Sequence, residues 1–169
     1  MADYQDHRVG RPPKYDAEYF PHYCNHNRTL EIIVHKYGNE GYGFYYRLQE
    51  LLGKTPHHGY DASTPMKYEY LQSKTGVDHE KVDEIIALLC EFGELDGNLW
   101  RKKKVIWWYP FVKSLKELYK RRKNQLPEKD DFMLVLLSEE GFRGTKEEEE
   151  ELRGTEIHKV KESKVNNTR

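Results

Sequence analysis

Apolar residues recur along this chain mostly with the spacing of α-helices. A first stripe follows the i, i+3, i+4, i+7 pattern from residue 30 and predicts a helix that ends at Gly38. A second stripe predicts another helix that ends at Gly53, with the glycine-containing segment between them as a turn. The first stripe comprises Leu30, Ile33, Val34 and Tyr37, and the second Phe44, Tyr45, Leu48, Leu51 and Leu52.

The next two predicted helices lie close together. The Thr-Pro pair at residues 64–65 is typical of an N-cap and a first helical residue, and that helix ends before Gly76. Asp78 can cap the following helix, and Val77 with Val82 fits a hydrophobic staple across the cap. Two short helices joined by a tight glycine-containing turn are typical of a helix-turn-helix.

A small β element is predicted beside this unit. The segment HHGYDAS, residues 57–63, indicates a turn with a short strand, and residues 105–108 are rich in strand-forming side chains. A turn at Asp96 and Gly97 would join the later strand into a β-hairpin. The expected fold class is therefore mainly α with a small β-wing (α+β), a winged helix-turn-helix. Pro110 then begins a last, basic helix.

Composition divides the chain into three parts. Residues 1–14 are polar and contain two prolines, which predicts a flexible arm. Residues 15–126 carry the helical and strand patterns and form the predicted winged-helix domain. Residues 127–169 are expected to be a largely disordered acidic tail, with a short packed element at residues 130–142.

The net charge of −1 hides an uneven distribution of charge. Between residues 95 and 125 there are ten basic and two acidic residues, a net charge of +8, whereas residues 126–169 carry −4. Basic side chains on a wing and on a helix end favour contact with nucleic-acid phosphates. The candidate nucleic-acid-binding residues are Arg101, Lys102, Lys103, Lys104, Lys113, Lys116, Lys120, Arg121, Arg122 and Lys123. Lysines at helix ends are also common without any ligand, because they complement the helix dipole.

The alternating His22, Cys24 and His26 could suggest a metal site. Three ligands are one short of a structural zinc site; His57 or His58 could complete it, but nothing in the sequence fixes that geometry. A polar loop that caps a helix through Asn27 or Thr29 is the favoured explanation. No metal and no cofactor is expected. No nucleophile–base spacing emerges, so we do not expect an enzyme. The two cysteines and the absence of a long apolar run in the sequence favour a cytoplasmic protein without a membrane span.

Several short motifs also occur in a characteristic order. They are YF at residues 19–20, KYG at 36–38, EGYG at 40–43 and YY at 45–46, followed by VDHEKVDEIIALLCEFGELD and LKELYKRRK. This order resembles a phage and prophage N-terminal winged-helix domain family associated with DnaD-like replication-organiser proteins, over roughly residues 15–125. The family has a polar, helix-capping stretch after YF. His22 and Asn25 match that stretch whereas Cys24 and His26 depart from it, so the resemblance implies no metal.

The resemblance implies a replication-associated, non-catalytic protein, and the charge pattern implies DNA binding that assists replication initiation. The helix that would enter the major groove begins with Asp78, Glu80, Asp83 and Glu84, which phosphates repel, so sequence readout is expected to be weak. The alternatives are a protein-interaction or oligomerisation module without nucleic-acid affinity, and a phage transcription regulator. The expected partners are DNA, with replication proteins and a second copy of the chain as further candidates.

Overall fold

The computed structural model describes residues 13–138. Most of the predicted flexible arm, and the predicted disordered tail beyond residue 138, lie outside the described residues. In chain order the elements are helix α1 (Arg28–Lys54), a single 3-10 turn (Pro56–His58), strand β1 (Gly59–Asp61), helices α2 (Pro65–Thr75), α3 (His79–Glu91) and α4 (Gly97–Lys103), strand β2 (Val105–Trp107), and helices α5 (Tyr109–Ser114), α6 (Lys116–Arg122) and α7 (Lys129–Ser138).

Helix α1 contains both of the first two predicted helices. Its N-cap is Asn27, whose side-chain oxygen accepts the backbone N–H of Leu30 at 2.8 Å. Gly38 sits inside the run with φ 58° and ψ −139°, a conformation that side chains with a Cβ avoid, and the helix kinks there. The break at Gly38 is confirmed. The predicted turn over residues 39–43 is wrong, because these residues are helical on the far side of the kink.

Helices α2 and α3 form at the predicted positions. The Thr64 side chain accepts the backbone N–H of Lys67, and the Asp78 side chain accepts that of Lys81 at 2.9 Å. Gly76 ends α2 with φ 77°, and the residue after it, Val77, is buried. Two helices joined by a tight turn are thus present.

The β-hairpin predicted around Asp96 and Gly97 is wrong. The Asp96 carboxylate accepts the backbone N–H groups of Asn98 and Leu99, which makes it the N-cap of α4 instead of a turn residue. The strand predicted at residues 105–108 does form, but it pairs antiparallel with β1, placing Tyr60 opposite Ile106. The structure is therefore mainly helical with one two-stranded antiparallel sheet in the described residues.

Strand β2 is buried on both faces. Ile106, together with Trp108 just after the strand, joins the main core between α1, α2, α3 and α6, while Val105 and Trp107 belong to a second cluster under α7. Trp107 stacks on Phe132 of α7 with ring centroids 5.9 Å apart. A Cβ on Gly59 would collide with that Phe132 ring, so α7 can pack here only against glycine. Helix α7, which spans Lys129–Ser138, overlaps the range of residues 130–142 where the sequence predicted a short packed element, and residues 139–142 lie outside the described residues.

The last predicted helix is divided into α5 and α6. Leu115, with φ −82° and ψ 1°, lies between them and is buried. Pro110 occupies the first turn of α5, as predicted. Within residues 13–138, no helix combines the length and the apolar character that a membrane crossing requires.

A fully buried histidine fixes α6 to the rest of the molecule. The His58 Nδ1 lies 3.1 Å from the carbonyl oxygen of Leu52, which can only accept, so we assign the proton to Nδ1. Nε2 of the neutral ring then accepts the hydroxyl of Tyr119 at 2.7 Å. His57 and His58 both adopt left-handed backbone conformations, with φ 56° and 59°, a cost that the packing around them offsets.

We expect Ile86→Asp to unfold the protein. Ile86 is fully buried, and an unpaired carboxylate there costs roughly 4 kcal/mol or more, a large part of the stability of a domain of this size. Ala87→Asp is the matched control, because it adds the same carboxylate one position along α3 on the exposed side. Thermal unfolding followed by circular dichroism measures both. An Ile86→Asp variant with the parent melting temperature would contradict the helix register.

We also expect the unfolding free energy to fall as the pH drops below about 6.5. Burial is the main cause that lowers the pKa of His58 from its ordinary value of 6.5. The unfolded chain therefore binds the proton more readily than the folded chain, and acid favours unfolding. Urea titrations at several pH values should show a shallower pH dependence for His58→Gln. Tyr119→Phe is the control: it should lower stability at every pH and keep more of the parent pH dependence than His58→Gln does, since the buried imidazole remains.

Candidate nucleic-acid interface

The run RKKK at residues 101–104 lies at the end of a helix and not on a wing. Arg101 and Lys102 are exposed on the last turn of α4, and Lys103 is half-buried. We call Arg101 and Lys102 the α4 patch. At this position the two cations complement the negative end of the helix dipole and also project into solvent.

Lys104 has an intramolecular role. It ends α4 in the left-handed conformation, with φ 54°, and its ammonium lies 3.1 Å from the Asp83 carboxylate. The same ammonium sits 4.3 Å from the centre of the Trp100 ring. Lys104 therefore ties the end of α4 to α3, and an external phosphate would have to compete with Asp83 for it.

The second basic cluster lies on α5 and α6. Its exposed members, which we call the α6 patch, are Lys113, Lys116, Lys120, Arg121 and Lys123. In the part of the chain that the structure describes, one acidic contact touches this patch, a 4.0 Å approach of Glu117 to Lys120. The patch therefore keeps most of its positive charge uncompensated.

Arg122 does not belong to the exposed α6 patch. Its guanidinium donates to the backbone carbonyls of Lys14 and Asp16 and so holds the N-terminal segment against α6. Of the ten predicted residues, seven are thus exposed in the two patches, while Lys103, Lys104 and Arg122 are partly buried. The tryptophans near the basic run cannot stack on bases, because Trp100, Trp107 and Trp108 are all buried.

Internal cations compensate two acidic residues of α3, Asp83 and Glu84. Asp83 accepts the hydroxyl of Tyr68 at 3.0 Å in addition to its ion pair with Lys104. Glu84 accepts the hydroxyl of Tyr37 at 2.6 Å and lies 3.7 Å from the Lys36 ammonium.

Negative charges at the start of α3 are compensated as well. Asp78 caps the helix and lies 3.6 Å from Lys81, which also reaches Glu40 at 2.8 Å. Of the four acidic residues, Glu80 alone has no ion pair within residues 13–138. The electrostatic repulsion that the sequence predicted for this helix is therefore weaker than its composition suggests.

The His22, Cys24 and His26 side chains are not gathered around a common point. The His22 ring stacks on Tyr46 with centroids 4.0 Å apart, and its Nε2 lies 3.1 Å from the hydroxyl of Tyr42. The His26 ring lies against Tyr42 as well, and Cys24 is exposed. Within the described residues, no three potential ligands are close enough to hold a metal ion.

A small pocket of about 130 Å³ opens beside these rings. Side chains from the segment before α1 and from α1 itself line it, and they are Pro21, Tyr23, Asn25, His26, Asn27, Leu30, Tyr45, Tyr46 and Gln49. Burial is the main cause that raises the pKa of Tyr45 to about 12, so this ring stays a neutral hydroxyl donor or acceptor. Gln49 was not among the predicted site residues. The available signal was a polar residue four positions after Tyr45, on the apolar side of a predicted helix.

A larger groove, of about 790 Å³, lies beside α2. The loop before α2, the exposed side of α2, His79 and Lys104 line it. Close by on α2, Met66 is 81% exposed and Tyr70 is 48% exposed, so this side of the molecule presents apolar surface to solvent.

The comparisons with known proteins give one match. No curated protein and no solved structure matches the chain. A family model described as Lin1244/Lin1753-like, N-terminal, matches residues 19–108, from the polar segment before α1 to the end of β2. That description names no ligand and no activity. Because the match covers more than half of the chain, this protein belongs to the Lin1244/Lin1753-like family through its N-terminal domain.

Proposed function

We propose that this protein binds DNA without catalysing a reaction, through the α4 and α6 patches. The single observation that carries the proposal is the set of seven exposed basic side chains, which meet one acidic neighbour among the described residues. Lysine and arginine contacts with phosphates supply most sequence-independent affinity for DNA. Binding of this kind is weakly specific for sequence.

We further propose that the fold is a variant of the winged helix. The order of elements supports this: a strand lies between α1 and α2, the helix-turn-helix follows, and a second strand returns to pair with the first. Helix α4 takes the place where a winged helix has the outer strand and tip of its wing. The basic residues expected on a wing tip are then presented by a helix end.

The biological setting rests on the resemblance to phage and prophage domains associated with DnaD-like replication organisers. On that basis the protein assists assembly of a replication-initiation complex in the cytoplasm. Replication proteins and further copies of the chain are its proposed protein partners. A role as a phage transcription regulator is the less favoured alternative, because the helix that would read bases begins with acidic side chains.

One observation favours a second function, a docking module for another protein. The exposed Met66 and Tyr70 lie four residues apart on α2, the helix that also contributes lining residues to the larger groove. Exposed apolar side chains beside a groove are typical of protein-binding surfaces. On this alternative the basic patches would contribute to solubility and not to affinity.

Reversing or removing basic charges distinguishes DNA binding from the docking function. If DNA is bound, Lys102→Glu and the triple change Lys120→Ala, Arg121→Ala, Lys123→Ala should each weaken binding to every duplex sequence alike. They should also flatten the salt dependence, by about one unit of slope for each phosphate interaction removed. These side chains are exposed, so the melting temperature should change little. Fluorescence anisotropy with a labelled duplex at two salt concentrations measures the effect.

Lys54→Glu is the matched control, since it reverses one exposed charge at the end of α1, outside both patches. It should lower affinity less than Lys102→Glu. Lys104 and Arg122 are left intact because their contacts hold the fold together. No binding by the parent protein to duplex or single-stranded DNA at low salt would overturn the proposal and favour the docking module.

A further inference from the structure

The small pocket beside the start of α1 contains an unusual polar group. Gln49 is only 8% exposed, and its side chain lines the pocket. Within residues 13–138 its side-chain amide makes no hydrogen bond. Its polar atoms are not among those closed off from solvent without a partner in the described residues, so the amide is open toward the pocket and available to a ligand. A ligand in the pocket could supply a hydrogen-bonding partner.

The chemistry of Gln49 defines the edge of such a ligand. A glutamine amide offers one acceptor oxygen and two donor hydrogens side by side. The matching partner presents a donor next to an acceptor in one plane. No lysine, arginine, aspartate or glutamate lines the pocket, so the group that enters carries no full charge.

The walls define its shape. Tyr45 and Tyr46 meet edge to face with centroids 5.5 Å apart and form one side of the pocket. Tyr23 lies at the rim, is 63% exposed and makes no ring contact with another described residue, so its face is available for stacking. A space of about 130 Å³ is too small for a helix or a folded segment and suits a single planar ring system.

We propose that this pocket binds one unstacked nucleobase of single-stranded DNA. Gln49 pairs with the hydrogen-bonding edge of the base, as glutamine does with adenine, and Tyr23 stacks on its face. The inference rests on the proposed function, because the α4 and α6 patches hold the phosphates while the pocket supplies a contact to a base. A peptide amide has the same donor and acceptor, but a free aromatic face together with two basic patches favours a nucleic acid.

The pocket is also linked to the basic helices through direct contacts. Asn27, which lines the pocket, donates to Glu94 at 2.8 Å, and Glu94 accepts the indole N–H of Trp108 at 3.0 Å. Tyr45 packs edge to face on the same indole with centroids 4.8 Å apart. Trp108 immediately precedes α5, so the same buried indole contacts the pocket wall and adjoins the helices that carry the α6 patch.

The experiment compares two single-stranded DNA oligomers of equal length, oligo-deoxyadenylate and an oligomer with abasic sugars, by fluorescence anisotropy. The parent protein should bind oligo-deoxyadenylate more tightly by about fivefold or more, the lower end of what a bidentate base contact contributes. Gln49→Leu should remove this preference while leaving the salt dependence unchanged, since the basic side chains that meet the phosphates all remain. Its melting temperature should stay close to that of the parent, because the Gln49 amide makes no hydrogen bond within residues 13–138 that the substitution would break.

Gln125→Leu is the matched control, the same chemical change at an exposed position outside the pocket, and should keep the preference. Tyr23→Leu changes an exposed ring that the fold does not need, so a weakened preference there supports the proposal even if Gln49→Leu fails to fold. Equal parent affinity for the two oligomers, or a preference unchanged in both variants, would contradict base binding in the pocket and leave the proposed phosphate binding by the basic patches intact. Absence of all DNA binding by the parent would overturn the proposed function and this inference together.

Discussion

The pairing of β2 with β1 is the constraint on which the rest of the structure depends. It brings together residues 59–61 and 105–107, which are far apart along the chain, and therefore closes the loop that contains α2, α3 and α4. Closing a loop of that length costs conformational entropy, and three-residue strands cannot offset it by hydrogen bonds alone. Burial of β2 on both faces offsets it instead. Ile106 and Trp108 enter the main core, and Val105 and Trp107 are covered by α7.

Two backbone hydrogen bonds extend this pairing to the neighbouring helices. The N–H of Ala62 donates to the carbonyl of Lys104 at 2.9 Å, and the N–H of Asp96 donates to that of Trp107 at 3.1 Å, which places the N-cap of α4 beside β2. The position of the α4 patch therefore depends on the sheet.

Local patterns in the sequence were sufficient to predict where a helix begins when a single capping residue determines that position. Asn27, Thr64 and Asp78 act as N-caps because their side chains bond to the next turn of the same chain. The signal failed at Asp96-Gly97, because an N-cap and a hairpin turn use the same residue types. The choice there depends on β2 pairing with β1, a long-range contact that no local pattern reports.

The candidate site was predictable in composition but not in geometry. The charge of the segment was evident from the sequence, and seven of its ten basic residues are exposed. The sequence could not separate Lys104 and Arg122 from the others, because their partners are Asp83 and the carbonyls of Lys14 and Asp16. Gln49 was overlooked for a similar reason: that this residue lines a pocket is visible only once the surrounding elements are in place.

The distribution of charge also explains why the helix-turn-helix need not provide specificity. Helix α3 uses Asp83 and Glu84 to bond to Tyr68 and Tyr37, so these carboxylates hold helices together and cannot be exchanged for basic side chains without weakening the packing. A helix that keeps these carboxylates for internal hydrogen bonds is poorly suited to enter the major groove of DNA. In the proposed function, phosphate contacts from α4 and α6 provide affinity for DNA, and the further inference adds a contact of the Gln49 pocket to one base. That added contact requires a base that is already unstacked, so it contributes to binding of single-stranded DNA and not of an intact duplex.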